Sequence, residues 1–232
     1  MYDTTSTRSR FEDLPALMAR MTGDEKHEPA AHSTLDVLWV LYDRILRIDP
    51  ANADDPDRDR FVLSKGHGPM AYYAVLAAKG FIDTAVLPGF AGFESPLGAH
   101  PDRTLIPGVE VGSGSLGHGL PIAVGMALGL RIAGRRRSRV ICLIGDGELD
   151  EGSIHEAVAL AGRLGLGALT AVVVDNHSSS YGWPGGIERR FEIEGWSAKT
   201  VDGRDHPALE RALQRQEAER PTHVLARVEA KR

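Results

Sequence analysis

The sequence predicts an α/β fold, a doubly wound and mostly parallel sheet with helices on both faces. Three observations carry this expectation. Strand-like and helix-like segments alternate over residues 119–228, which is the pattern of strand–helix–strand units. The strand candidates are short, rich in β-branched residues and apolar at every position, as in Thr170-Ala171-Val172-Val173-Val174, which suits strands covered on both faces. Two of them end abruptly in polar clusters, where an open parallel sheet binds its ligands.

The elements follow in order. Apolar residues at 11, 14, 17, 18 and 21 predict a short amphipathic helix. Ser33 is expected to cap a helix over residues 34–48, where Leu35, Leu38, Trp39, Tyr42, Ile45 and Leu46 recur at threes and fours. Asp49-Pro50 is expected to stop it, and the polar run 52–59 to form a surface loop. Phe61-Val62-Leu63 reads as a strand, and residues 69–79 as a helix closed by Gly80 at its C′ position. Residues 88–119, rich in Gly and Pro, read as a long loop, which in a compact domain is either functional or disordered. The regular part then runs helix 119–133, strand 139–144, helix 153–164, strand 169–174, helix 206–218 and strand 222–228. No repeat or low-complexity linker divides the chain, so residues 1–232 are read as a single domain, with residues 1–32 as an N-terminal extension packed on it.

Composition bounds the partners. At 232 residues, with 42% hydrophobic and 25% charged, the chain is long enough for a large buried core and unlike a disordered or disulfide-stapled protein. Its net charge of −5 gives no general electrostatic case for nucleic acid or an anionic membrane. The basic run Arg135-Arg136-Arg137-Ser138-Arg139 reads as solvated surface before a strand. The single cysteine, Cys142, lies in an apolar run and reads as a core residue. No basic-then-apolar leader opens the sequence, and the stretch 116–133 is too interrupted by glycine, histidine, proline and arginine to span a bilayer. A cytoplasmic protein is expected.

The chemistry is expected at the strand ends. One is followed by Gly145-Asp146-Gly147-Glu148, another by Asp175-Asn176-His177-Ser178, with Asp146 and Asn176 thirty residues apart. That separation fits one strand–helix–strand crossover, so neighbouring strands would bring the two side chains to one point. A carboxylate and an amide oxygen are hard ligands suited to Mg²⁺ or Ca²⁺. The flanking glycines permit close backbone approach, and the following helix offers its N-terminus to an anion. Metal and exposed amides together point to a diphosphate; the competing reading is a tight turn and a local turn residue.

The segment from Gly145-Asp146-Gly147-Glu148 to Asp175-Asn176 resembles the thiamine-diphosphate fingerprint shared by several enzyme families. Phe61-Val62-Leu63-Ser64-Lys65-Gly66-His67 resembles the LSKGH segment of transketolases. Gly98-Ala99-His100-Pro101-Asp102 is similar to their GHP loop, and Pro107-Gly108-Val109-Glu110 with Gly114-Ser115-Leu116-Gly117-His118-Gly119 to their PGVE and LGQG segments. The match runs in the family's order over most of residues 27–200, and concerns the N-terminal, diphosphate-binding (PP) part of transketolase.

The resemblance implies roles residue by residue. Asp146 and Asn176, with the main-chain carbonyl of Ser178, would ligate the divalent metal. Gly147 would set its amide on the diphosphate and His67 would contact a phosphate oxygen. Gly114 and Leu116 would line the thiamine. His100 would face the substrate near the reacting carbon, and Glu151 would communicate between paired active sites. His27, in Lys26-His27-Glu28-Pro29, keeps an imidazole where the family has GHPG. Ala99 and His118 stand where a glycine and a glutamine are usual. These departures bear on the sugars more than on the cofactor.

Full-length transketolases continue into a pyrimidine-binding domain and a third domain. The resemblance therefore implies a separately encoded C-terminal partner, in an α₂β₂ assembly, and transfer of a two-carbon ketol unit from a ketose to an aldehyde through the thiazolium C2 carbanion. Other readings stay open: a non-catalytic binding or regulatory subunit that keeps the fold, an acyloin-forming enzyme subunit, or the α-type subunit of a 2-oxo acid dehydrogenase, which the SKGH and PGVE segments disfavour.

Overall fold

The structure, a computed structural model, describes residues 9–22, 28–214 and 217–230. Five strands, β1 (Arg60–Leu63), β2 (Val140–Gly145), β3 (Leu169–Asp175), β4 (Ser197–Asp202) and β5 (Thr222–Arg227), form one sheet in the order β1-β2-β3-β5-β4. All neighbouring pairs are parallel. The helices are α1 (Leu14–Met18), α2 (Glu28–Val40), α3 (Met70–Ala78), α4 (Gly119–Ile132), α5 (Gly152–Arg163), α6 (Ile187–Ile193) and α7 (His206–Gln214).

Alternation along the strands divides the core in two, because successive side chains point to opposite faces. Ile141, Leu143, Val172, Val174, Val224 and Ala226 face the layer built by α1, α2, α3 and α7. Val140, Cys142, Ile144, Ala171, Val173 and Leu225 face α4, α5 and α6. The central strands are buried almost throughout, so an uninterrupted apolar run is what two-sided coverage requires. Cys142 is fully buried, and its thiol pKa is pushed up by burial and by the nearby Glu148 carboxylate.

Several expected bounds shift. Ser33 does not cap a helix: α2 already runs from Glu28, and Ser33 lies buried inside it. Upstream Ala31 is itself a core residue, and the Thr34 hydroxyl donates back to its carbonyl, 3.1 Å away. A polar residue before an apolar stripe thus marks a turn within the helix.

At the other end the helix widens into a π turn over Leu41–Ile45 and is left at Leu46, which is extended. The stop comes before Asp49-Pro50 because a side chain further on captures the backbone. Asp59, wholly buried, accepts from the Arg47 amide at 3.0 Å and from the guanidinium groups of Arg47 and Arg139. Asp49 instead caps the 3₁₀ turn Pro50–Asn52. The run 52–59 is otherwise surface, with Asp59 as its buried exception.

The helix expected over 206–218 is α7, His206–Gln214; by Glu217 the chain pairs with Arg220 in a β-bridge. Neither α6 nor β4 was expected from the sequence. The second is an edge strand of mixed polarity, Ser-Ala-Lys-Thr-Val-Asp, without the apolar run of its neighbours. No described helix is long and apolar enough to cross a membrane.

Candidate functional site

β1, β2 and β3 lie side by side, so their carboxyl ends deliver three segments to one edge of the sheet. These are Ser64-Lys65-Gly66-His67, Asp146 to Asp150, and Asn176-His177-Ser178. The register pairs Gly145 with Val174, which brings the residues after β2 level with those after β3. The adjacency that the thirty-residue spacing anticipated is therefore realised by direct strand pairing.

Asp146 is 1% exposed. Its carboxylate accepts from the Ser178 amide (2.6 Å), the Ser178 hydroxyl (2.5 Å) and the Ser179 amide (3.1 Å). Asp150, one turn on, accepts from the Ser179 hydroxyl and the amides of Ser180 and Tyr181. Burial works against ionisation of Asp150, but those donors outweigh it and hold its pKa below the ordinary value. The segment after Asn176 is thus strapped across both carboxylates. His177 enters it at φ 60°, with its amide and ring both on Asp175.

Asn176 is 5% exposed, and its Oδ1 has no hydrogen-bond partner among the described residues. A buried amide oxygen is rarely left so, because its desolvation is not repaid. Together with the Asp146 carboxylate it makes a hard-oxygen set that fits Mg²⁺ or Ca²⁺. The Ser178 carbonyl lies 3.6 Å from where a Cβ on Gly147 would stand, so glycine at 147 leaves room between the turn and that segment. Among the described residues no group of three His, Cys, Asp or Glu gathers as a metal cluster; the oxygens here come from one carboxylate, one amide and the main chain.

The long loop supplies the other wall. His67 and His100 meet with ring centroids 5.4 Å apart. A Cβ on Gly66 would stand 2.8 Å from both the His100 ring and the Ser113 hydroxyl, and one on Gly114 3.4 Å from that ring. Gly114 itself is at φ 136°. The Ser113 hydroxyl is buried without a partner among the described residues. Leu116 is 38% exposed. Gly117, at φ 77°, packs against Glu151, and its carbonyl accepts from the Ser153 hydroxyl at 2.9 Å. His118 is exposed, its ring bonded to Ser115. His27 lies outside the described residues.

Of the sequence candidates, the structure gathers Asp146, Gly147, Asn176 and Ser178 on one side and His67, His100 and Gly114 on another; Leu116 lies on the loop that packs through Gly117 against Glu151, the residue before α5. The residue that sequence reasoning passed over is Glu148. It is 1% exposed, and its carboxylate accepts from the Ser64 hydroxyl (2.6 Å), the Gly117 amide (3.0 Å) and the Gly145 amide (2.9 Å). Burial raises its pKa, against those three donors and Lys65. Nothing local in the sequence distinguishes it from a solvated turn carboxylate; its partners come from three separate segments.

A pocket of about 230 Å³ opens beside Asp146, bounded by Asp175, His177, Ser179, Trp183 and Arg227. A larger hollow, about 850 Å³, lies at the opposite end of the sheet and is lined by arginines including Arg131, Arg135 and Arg139. Those three are engaged with the Leu164 carbonyl, Asp57 and Asp59, and none of the strand-end residues reaches it.

Comparison with known proteins places this geometry. Residues 18–229 match the family described as transketolase, thiamine diphosphate binding domain. A Rhodococcoides fascians protein called ferredoxin fas2 is 58% identical over 96% of this chain and 73% of its own length. An apulose-4-phosphate transketolase subunit from Actinobacillus succinogenes is 35% identical over 86% of this chain and 74% of its own length. Against the transketolase of Sinorhizobium medicae the identity is 38%, and this chain spans only 33% of that protein. Among solved structures, a Pichia stipitis transketolase superposes with a TM-score of 0.81 at 28% identity, over 93% of this chain and 35% of that one.

Proposed function

Because the chain belongs to the family of transketolase thiamine-diphosphate-binding domains, we propose that it is the N-terminal subunit of a two-component transketolase-like enzyme. That enzyme would transfer a two-carbon ketol unit from a ketose to an aldehyde. The observation that carries the reading is the buried, unpartnered Oδ1 of Asn176 at the strand end beside Asp146, since a cation is what such an oxygen lacks.

In this reading Asp146, Asn176 and the carbonyl of Ser178 would hold Mg²⁺, or Ca²⁺ in its place, whose charge would favour binding of the diphosphate. The Gly147 amide and His67 bind phosphate oxygens, while Gly114 and Leu116 line the thiamine. Thiamine diphosphate, when bound, supplies the nucleophilic carbon that takes up and passes on the two-carbon unit. His100, next to His67 and beneath the loop 112–114, donates a proton or hydrogen bond to the substrate oxygen on which charge develops. His27 is assigned to the same substrate side on the resemblance of its segment alone. Glu151, packed on Gly117, connects the cofactor loop to the paired site.

The chain spans about a third of the length of the full transketolases it matches, but about three quarters of a relative that is itself named as one component of a transketolase. That contrast supports a separate partner; in this reading the partner carries the pyrimidine-binding domain and the two form an α₂β₂ assembly in the cytoplasm. The relative called ferredoxin suggests no iron–sulfur centre within these residues. Clusters of that kind are held by sets of cysteines, and here there is Cys142 alone, buried in β2.

Calorimetric titration of thiamine diphosphate with Mg²⁺, into the chain with and without the genetically neighbouring pyrimidine-domain protein, tests the proposal. Binding that tightens with the neighbour, and that Asp146→Ala abolishes together with ketol transfer by the complex, is the expected result. Unchanged transfer by the Asp146→Ala complex refutes it and favours a non-catalytic role.

A further inference from the structure

We propose that Glu148 is the positioning residue that holds the three cofactor-binding segments together; the inference rests on the functional reading above. Its carboxylate stands where those segments meet. Through Oε1 it takes the Ser64 hydroxyl, at the end of β1 and three residues before His67, and the Gly117 amide, in the loop that carries Gly114 and Leu116. Through Oε2 it takes the Gly145 amide, next to Asp146. The Ser64 hydroxyl in turn accepts from the Gly119 amide at 3.1 Å, the first residue of α4. One buried side chain therefore fixes β1, β2 and the 114–119 loop relative to one another.

The chain of bonds has a direction. Gly119 donates to Ser64, Ser64 donates to Glu148, and the amides of Gly117 and Gly145 donate to the same carboxylate. Only a group that accepts at both of its terminal atoms can end such a chain. Glutamine, of equal size, accepts at one atom and turns an NH₂ against a donor at the other. The segments also pack closely on one another. A Cβ on Gly119 would overlap the Ser64 side chain, and one on Gly117 would stand 2.6 Å from the Glu151 Cβ. The hydrogen bonds of Glu148 go to Ser64, Gly117 and Gly145, so its effect passes through the backbone it holds.

The test compares wild type, Glu148→Gln, Ser64→Ala, the double variant and Trp196→Phe as whole chains. Trp196→Phe is the control for a buried hydrogen bond lost elsewhere, since the indole donates to the Val158 carbonyl at 2.9 Å. Amide hydrogen exchange is followed at Gly117, Gly119 and, as the reference, Val172 in β3. Thiamine diphosphate affinity with Mg²⁺ is measured in the complex with the partner protein, well below each variant's melting temperature. Glu148→Gln is expected to speed exchange at Gly117 and Gly119 by roughly tenfold or more with Val172 unchanged, as loss of a buried acceptor implies. It is also expected to weaken thiamine diphosphate by about tenfold. Ser64→Ala should show part of both effects, with the two changes non-additive in the double variant. Trp196→Phe should lower the melting temperature and move neither readout.

Wild-type exchange at Gly117 and Gly119 in Glu148→Gln overturns the inference. So does a loss of affinity that only tracks melting temperature, as in Trp196→Phe. Should Glu148→Gln fail to fold, Ser64→Ala decides by the same readings, because it cuts the link to Gly119 with Glu148 in place. A wild-type complex that binds no thiamine diphosphate refutes the functional reading instead, and the exchange arm then decides for or against the Glu148 clamp by itself.

Discussion

Acidification should weaken this protein through one histidine that has no part in the site. His223, on β5, is wholly buried, lies flat against Phe191 with ring centroids 3.8 Å apart, and has no hydrogen-bond partner at either ring nitrogen among the described residues. Burial lowers its pKa from the ordinary 6.5 to about 3, and the Glu188 carboxylate and the approach of the Ala171 backbone offset only part of that. The folded state thus keeps the ring neutral, while the unfolded chain takes up a proton below pH 6.5. The stability this contributes is complete above pH 6.5 and is lost progressively as the pH falls toward 3. At about 1.4 kcal/mol per pH unit the loss reaches roughly 3 kcal/mol at pH 4, a large share of the ~5–15 kcal/mol that holds a typical domain. Urea unfolding midpoints from pH 8 to pH 4 measure it, with His223→Leu as the comparison, because leucine fills the same apolar place without titrating. The wild type should lose about 3 kcal/mol more than His223→Leu over that interval. Parallel pH profiles for the two proteins would refute the reasoning, whatever their absolute stabilities.

Other expectations follow from single contacts. Asp59 accepts from the backbone and side chains of Arg47 and Arg139; burial by itself would raise its pKa, but those donors outweigh it and lower the value. Its contribution is therefore present above the ordinary carboxylate pKa and lost as pH falls through the lowered one, and Asp59→Asn should cost about 3–5 kcal/mol by urea unfolding at pH 7. Gly162→Ala would drive a Cβ into the Glu194 carbonyl and should lower stability by about 3 kcal/mol or more, read as a melting-temperature drop. Gly125→Ala, inside α4 with nothing within 4 Å, should instead raise the stability of the isolated chain by roughly 0.5–1 kcal/mol; a loss would mean that the α4 surface is not as open as it stands here. Gly119→Ala must displace Ser64 and is expected to weaken thiamine diphosphate at least tenfold in calorimetry while β3 amides keep their exchange protection.

The parallel sheet was legible because its central strands carry the whole signal in their own residues. Val140 to Ile144 and Leu169 to Val174 are apolar at nearly every position, and both faces are buried as that pattern requires. β4 escaped because an edge strand, half exposed and holding Lys199, Thr200 and Asp202, has no such run to show. The misplaced start of α2 has a similar root. Ser33 has the chemistry of a cap, but a helix begins where tertiary packing first repays its nucleation, and here residues upstream such as Ala31 already pack into the core. Its early end at Leu46 depends on Asp59, a partner twelve residues away that no local window contains.

The candidate site divides along the same line. Asp146, Asn176, His67 and His100 could be read because each sits in a short local motif at a strand end or in the glycine-rich loop, and the strand order needed only to make β2 and β3 neighbours. Glu148 is in the same motif as Asp146, yet the two carboxylates do opposite things: one turns toward the segment after β3, the other inward to Ser64, Gly117 and Gly145. No spacing rule separates them, because the difference lies in which donors the fold supplies. A carboxylate with one partner in its own turn, the Gly145 amide, and two from distant segments, the Ser64 hydroxyl and the Gly117 amide, can be recognised only once those segments are placed. That is also why its removal should be felt along the whole 114–119 loop, while loss of Asp146 should be felt at the metal and in the segment after Asn176 that it holds, and not in that loop. The contrast can be measured on one protein: Asp146→Ala should leave Gly117 and Gly119 exchange as in wild type while abolishing Mg²⁺-dependent binding, and Glu148→Gln should loosen both amides and only weaken that binding. Equal loop exchange in the two variants would mean that the turn from Asp146 to Asp150 responds as one unit, and the separate roles assigned to its two carboxylates would fall.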